Sequence, residues 1–303
     1  MGIPFVKEIE FEYGKVEQVS PLIRRVIANN PGPFTYVGTG VYIIGHGEVA
    51  VIDPGPEQAE HFDALKEILK DETITHVLVT HGHSDHSPLA QPLAEWAGCK
   101  TYAKNCGVPT AKGELGSADD LGFEPDVKLA DGDVISGPGW TLETIETPGH
   151  TCNHICFDLK EENACLSGDH IMGWSTTIVA PPDGDMADYM RSLDKIEARN
   201  FDILWPTHGS PVREDVNGFI QAYRQHRLDR EAAIIEHLKA GEKNIPNMVK
   251  TMYADVDKRL HPAAAMSVLG HMRKLVEEGY VDTPDEMPTV RSVFTWTALR
   301  KTA

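Results

Sequence analysis

Short apolar runs dominate the first two-thirds of the chain. The runs VYIIG (41–45) and EVAVIDPG (48–55), the second closed by the turn formers Pro54 and Gly55, predict a β-hairpin. Residues 59–69 set Phe62, Leu65, Ile68 and Leu69 at helical spacing, and THVLVT (75–80) follows as a strand buried on both faces. Ser87-Pro88 then has the chemistry of an N-cap and a first-turn proline for a helix carrying Leu89, Leu93 and Trp96 on one face. Pro92 inside that helix predicts a short or kinked element. Further strands are predicted at WTLETIET (140–147), HICFDL (154–159), NACLSGD (163–169) and FDILWPTHG (201–209), with a helix around Tyr189, Met190, Leu193 and Ile196 between the last two. Strands interleaved with helices, several ending in polar ligand types, describe an α/β layered domain with its site along one edge.

The pattern changes after residue 218. A long helical stretch at 219–239 stops at Gly241, a second helix is expected at IPNMVKTMY (245–253), and a third at 262–278. Two strand-like pieces, YVD and SVFTWT, follow on either side of the proline-rich stretch 283–288. The expected organisation is a domain at 1–218 and a winged-helix-like module at 219–303.

Composition narrows the class only modestly. Glu8, Glu10 and Glu12 interrupt any apolar leader near the N-terminus, and no apolar run approaches the ~18 residues of a membrane span, so a soluble cytoplasmic protein is expected. Five cysteines without a CxxC pair suit reduced thiols better than a disulfide framework. The net charge of −18 is uneven: residues 219–303 hold 13 Lys and Arg against 11 Asp and Glu, leaving 15 against 35 upstream. That field does not favour a polyanion.

The densest chemistry is THGHSDHS (80–87), directly after a strand. In an extended segment His81, His83 and Asp85 would point to one side with His86 offset, a geometry able to feed two adjacent metals. Imidazoles with a carboxylate lean toward zinc, with iron or manganese also admitted by the donor set. His150 in TPGHT, Asp169 in SGDH and His208 in PTHG each follow a predicted strand as well. Such repetition at independent strand ends argues for one convergent site.

This ordered set, HxHxDH followed by His, Asp and His, resembles the metallo-β-lactamase superfamily of hydrolases over about residues 34–210. The resemblance implies an αββα sandwich holding two zinc ions per chain. His81, His83 and His150 would hold the first metal, Asp85, His86 and His208 the second, and Asp169 would bridge both. Asp85 would also orient the attacking hydroxide, a water shared by two cations and acidified toward a pKa of about 7. Asp53 matches the family's buried carboxylate behind the ligands; a turn aspartate before Pro54 is the plain alternative.

The stretch GDHIMGWSTTIVAPPDGDMADYMRSLDKI and the helical tail resemble the β-lactamase-like protein 2 group, with a longer insert, APPDGD. Residues 174–185 should overhang the metals, which makes His170, Trp174, Ser175 and Thr176 candidate pocket residues. The expected reaction is hydrolysis of a carbonyl substrate: an ester, thioester, lactone or β-lactam. Single-strand endoribonuclease activity is the alternative within the group, but no basic aromatic groove is evident. An iron-dependent persulfide-type dioxygenase and a DNA-binding regulator acting through the tail are the readings from other classes. A small-molecule substrate is thus expected ahead of RNA, with no membrane partner and a homodimer left open.

Overall fold

The computed structural model describes residues 2–105 and 123–297. Its first half runs β1 (Val16–Gln18), β2 (Ile23–Ile27), β3 (Gly40–Ile44), β4 (Glu48–Ile52), α1 (Ala59–Leu69), β5 (Thr73–Leu78), α2 (Ala90–Ala97), β6 (Lys100–Ala103) and β7 (Val127–Lys128). The second half runs β8 (Val134–Gly137), β9 (Trp140–Glu146), β10 (Ile155–Leu159), β11 (Ala164–Gly168), α3 (Met186–Glu197), β12 (Ile203–Pro206), α4 (Val216–Lys239), α5 (Ile245–Met252), α6 (His261–Glu277), β13 (Val281–Asp282) and β14 (Thr295–Trp296).

β1 to β7 form one sheet in sequence order, antiparallel up to β4 and parallel from β4 to β7. The other sheet has the order β12-β11-β10-β9-β8, with β11 and β12 parallel. Period-two alternation assigns the faces. Tyr42 and Ile44 on β3 point between the sheets and meet Phe157, Leu166 and Trp205 from the second sheet. Val41 and Ile43 of the same strand point outward and pack with Leu65 and Leu69 of α1 and Leu93 of α2. On the other side Cys156 and Cys165 pack under Tyr189 and Leu193 of α3 and Phe219 and Tyr223 of α4. Helix, sheet, sheet, helix is the resulting order of layers. Strands buried on both faces explain why their sequences read as unbroken apolar runs.

Two local expectations change. α2 starts at Ala90, so Pro92 falls in its first turn, where a missing N–H leaves no intrahelical bond unmade. Ser87 does not cap it; its Oγ donates to His83 O at 3.2 Å, inside the ligand turn. Among the cysteines, Cys99, Cys156 and Cys165 are free thiols, whereas Cys152 is disulfide-bonded, against the expectation of reduced thiols throughout. Cys106 lies outside the described residues.

In the tail, α5, α6 and the β13–β14 hairpin enclose their own core around Met248, Leu269, Met272 and Phe294. α4 does not respect a boundary at 218/219. Its first turns (Val216, Phe219, Ile220, Tyr223) belong to the sandwich core, and Ile234 and Leu238 belong to the tail core. One continuous helix therefore ties the two units together. No helix among the described residues is long and apolar enough to cross a membrane.

Candidate metal centre

The site lies where the strands of both sheets end. The segment after β5 is a turn, not an extended strand: His86 N donates to His83 O at 3.0 Å and Ser87 N to the same oxygen at 3.2 Å. This corrects the alternation argument. His81 and His83 remain together, but the turn separates them from Asp85 and swings His86 beside it. Two groups of donors result, His81, His83, His150 and Asp169 in one and Asp85, His86 and His208 in the other, with the ligand atoms within 4.8 Å of one another in each.

Asp169, at the end of β11, reaches both. Its Oδ2 is 3.7 Å from His150 Nε2 and 3.6 Å from His86 Nε2, and its Oδ1 is 3.4 Å from His208 Nε2. Asp85 Oδ2 lies 3.3 Å from His86 Nε2 and 3.1 Å from His208 Nε2. On the other flank His83 Nδ1 is 2.9 Å from His81 Nε2 and 3.2 Å from His150 Nε2.

The far nitrogens of four imidazoles are anchored. His86 Nδ1 meets Asp53 Oδ2 at 2.9 Å, His81 Nδ1 meets Thr80 Oγ1 at 3.0 Å, His150 Nδ1 meets Ile178 O at 2.6 Å, and His208 Nδ1 meets Gly38 O at 3.2 Å. An Nδ1–H held by an oxygen leaves Nε2 as a lone pair aimed inward, which is how proteins prepare histidine to bind metal. Buried His86 Nε2 and Asp169 Oδ1 have no hydrogen-bond partner. A cation is the group that satisfies a lone pair and a carboxylate oxygen together, so the residues fit a metal pair.

Electrostatics agree. Burial and the neighbouring imidazoles push His81 well below its ordinary value, and burial with His150 beside it lowers His83 to about 3. Both are therefore neutral, as metal ligands must be. Burial would lower His208 too, but the Asp169 and Asp85 carboxylates outweigh it and raise it to about 10. His86 is raised in the same way by Asp85, Asp169 and Asp53. Without an ion these two rings hold their Nε2 protons against the carboxylates, and a divalent ion would displace those protons and supply the same charge.

Asp53 is fully buried behind these ligands with φ near +50°. Beyond His86, its Oδ1 accepts from Thr80 N at 2.7 Å, and its Oδ2 accepts from Thr80 Oγ1 at 2.8 Å and Thr207 Oγ1 at 3.1 Å. It joins the roots of the β5 and β12 ligand segments. Thr39 Oγ1 donates to Asp85 Oδ2 at 3.2 Å and is itself held by Asn30. Sequence reasoning missed these hydroxyls. A signal existed for two of them, since Thr-His-Gly recurs at 80–82 and 207–209.

The pocket candidates divide. Trp174, Ser175 and Thr176 are partly exposed, and Trp174 stacks on Tyr36 at 4.7 Å, extending an aromatic wall from the loop that carries Gly38. His170 is corrected: it is fully buried, with its ring 4.9 Å from that of Tyr189, and lines no open surface. His154 serves from behind, its Nε2 accepting from Asp169 N at 3.1 Å and its Nδ1 meeting Thr147 Oγ1 at 2.8 Å.

Gly149 sets the approach of His150. It has φ near +134°, and a Cβ there would sit 2.4 Å from the backbone N and Cα of Tyr189. Gly149→Ala is expected to cost about 1–3 kcal/mol in a denaturant melt, the range for forced overpacking, and to weaken metal binding in the same protein. Unchanged stability and metal affinity would contradict this packing account.

An αββα sandwich with a seven-residue His/Asp cluster at its strand ends is the arrangement of a metallo-beta-lactamase fold. The chain belongs to the metallo-beta-lactamase superfamily, whose members are hydrolases; the family's model matches residues 36–208. A second model, the beta-lactamase associated winged helix domain, matches residues 245–289. The chain is 34% identical over 274 residues to "Beta-lactamase-like protein 2 homolog" of Caenorhabditis elegans, covering 89% of each. It is 28% identical to "Atrochrysone carboxyl ACP thioesterase AgnL7" of Paecilomyces divaricatus, covering 94% of this chain and 88% of that one. Among solved structures, a beta-lactamase domain protein from Burkholderia ambifaria superposes with a TM-score of 0.78 at 20% identity, covering 98% and 97% of the two chains. That last likeness concerns the fold.

Proposed function

We propose that the protein is a dinuclear metal-dependent hydrolase of an acyl substrate, an ester or thioester. The observation that carries the reading is the sharing of Asp169 between two donor groups in which the Nε2 atoms of His81, His86, His150 and His208 are oriented inward by anchored Nδ1 atoms. His81, His83 and His150 would hold one metal, Asp85, His86 and His208 the other, and Asp169 would serve both. Two bound cations, zinc being the expected pair, would acidify a water and polarise the carbonyl oxygen under attack. The chain's own part is positional. Asp85, the more open carboxylate at 23% side-chain exposure, would orient that water and take up its proton, then return it to the leaving group.

Three features support an acyl substrate over a phosphodiester. Residues 1–218 carry a net charge of −20, which repels a polyanion at long range. The wall beside the centre is the Tyr36–Trp174 stack, with Phe34 52% exposed two residues from Tyr36, a surface suited to an apolar acyl group. A curated relative of similar length bears a thioesterase name.

The test uses the purified full chain. Stripping with a chelator is expected to lower Tm and abolish turnover, and two equivalents of zinc should restore both, because ligand binding to the native state stabilises it. The reloaded enzyme is then set against S-acyl pantetheine thioesters, aryl esters, a lactone, a β-lactam and single-stranded RNA. Acyl hydrolysis with intact RNA is the expected outcome. Cleavage of RNA with every acyl compound untouched would sink the reading.

A further inference from the structure

α4 grips the 172–177 segment beside the candidate metal centre through two side chains one helical turn apart. Tyr223 OH donates to Met172 O at 2.7 Å and to Ser175 O, and accepts from Met172 N at 3.1 Å. Arg227, 3% exposed, donates through Nη2 to Thr177 O. Its guanidinium carbon lies 5.0 Å from the Tyr189 ring centroid. Among the described residues no carboxylate pairs with it; the neighbouring Glu231 is taken by His271 at 3.2 Å and Lys274 at 3.0 Å. Burying a cation is costly, and a buried arginine is ordinarily compensated by an acid. This one faces a backbone carbonyl and an aromatic face instead.

The carbonyl it grips is well chosen. Thr177 Oγ1 donates to Asp169 O at 2.7 Å and His170 O at 3.0 Å, and the next residue supplies Ile178 O, the 2.6 Å anchor of His150 Nδ1. Two ligands of the same donor group, Asp169 and His150, thus depend on the dipeptide 177–178. Trp174, Ser175 and Thr176 lie on the same segment. This grip is a route by which α4 influences the donors.

We infer that Arg227 is a positioning residue for the metal held by His81, His83, His150 and Asp169, clamping the 177–178 segment so that α4 presets two of that metal's ligands. The inference rests on the proposed two-metal reading. It concerns binding geometry and not a direct role in bond cleavage. Groups that orient metal ligands typically change metal affinity 10- to 100-fold when removed.

The experiment measures both metal affinities by chelator competition, with zinc and with cobalt as a spectroscopic probe. Four full-length variants are compared with wild type. Arg227→Met keeps the stem and removes the donors, Arg227→Lys keeps charge and one donor, and Thr177→Val removes the hydroxyl while leaving its carbonyl. Met248→Ala, a core residue of the tail away from the segment, controls for a general loss of stability. Arg227→Met and Thr177→Val are each expected to weaken the metal at His81, His83 and His150 about 10- to 100-fold, to weaken the other, which shares only Asp169, by a smaller factor, and to alter the cobalt visible spectrum. Arg227→Lys should recover part of the loss, and Met248→Ala should lower Tm with both affinities unchanged. Wild-type affinities in Arg227→Met and Thr177→Val, or an equal loss in Met248→Ala, would overturn the clamp while leaving the hydrolase reading intact. A wild-type chain that takes up no metal would remove both.

Discussion

Asp85→Asn is expected to lower kcat by about 10²- to 10⁴-fold at saturating metal, the range for loss of a positioned acid–base group, with Tm close to that of wild type. The amide keeps the shape of the carboxylate and can still accept from Thr39 Oγ1, which now lies 3.2 Å away. It cannot take up a proton: His208 Nε2 and His86 Nε2 lie 3.1 and 3.3 Å from the same Oδ2 that Thr39 meets, so an amide oxygen placed there offers all three groups a neutral acceptor in place of a charged one. One negative charge fewer at the second donor group should also weaken metal binding there. The kinetic measurement is therefore made across a metal titration, so that a ligand defect and a proton-transfer defect separate: the first is recovered by excess metal and the second is not. Near-normal kcat at saturation would remove Asp85 from the proton path while leaving the metal sites standing.

Much of the sandwich was legible because its strands are buried on both faces. Runs such as VYIIG and THVLVT admit little besides a central strand, and α1 matches its predicted 59–69 span. The candidate donors, which the fold does bring together, were legible for a related reason. Each sits immediately after such a run, and histidine or aspartate beside glycine at a buried strand end has few structural uses. What failed was local geometry. The 81–86 segment reads as extended by alternation, yet its hydrogen bonds to His83 O close a turn, and turns with few prolines or glycines leave a faint trace in composition. His170 misled because adjacency to Asp169 in sequence says nothing about which way the chain leaves the strand; at this bend the ring goes into the core beside Tyr189. Boundaries within a continuous helix are likewise invisible to periodicity. The apolar positions of α4 simply continue while the core they enter changes from sandwich to tail.

Thermodynamically the largest single effect is expected at Asp53. Its carboxylate is the acceptor for Thr80 N, Thr80 Oγ1, Thr207 Oγ1 and His86 Nδ1, all buried, so Asp53→Ala would strand four donors at once. Breaking a buried charged network by removing one partner costs about 3–5 kcal/mol, which for a chain of this size lowers Tm by roughly 10 °C. The backbone offers a way to tell that role from an ordinary turn aspartate. With φ near +50°, position 53 occupies the left-handed region that Asn tolerates about as well as Asp. Asp53→Asn should therefore preserve the turn before Pro54 and lose only the charge and one acceptor. If Asp53 merely shapes the turn, Asn will melt like wild type and bind metal normally. If it orients the ligands, Asn will melt between wild type and Ala and bind the metal at the His86 side about 10- to 100-fold more weakly, because His86 Nδ1 then loses its carboxylate partner. Denaturant melts with and without zinc make the comparison: the deficit of the Asn variant should be larger with zinc present, since weaker binding removes part of the stabilisation that the ion contributes to the folded chain. A deficit of equal size in both conditions would assign Asp53 to the fold alone and leave the orientation of His86 to its packing against His81 and His208.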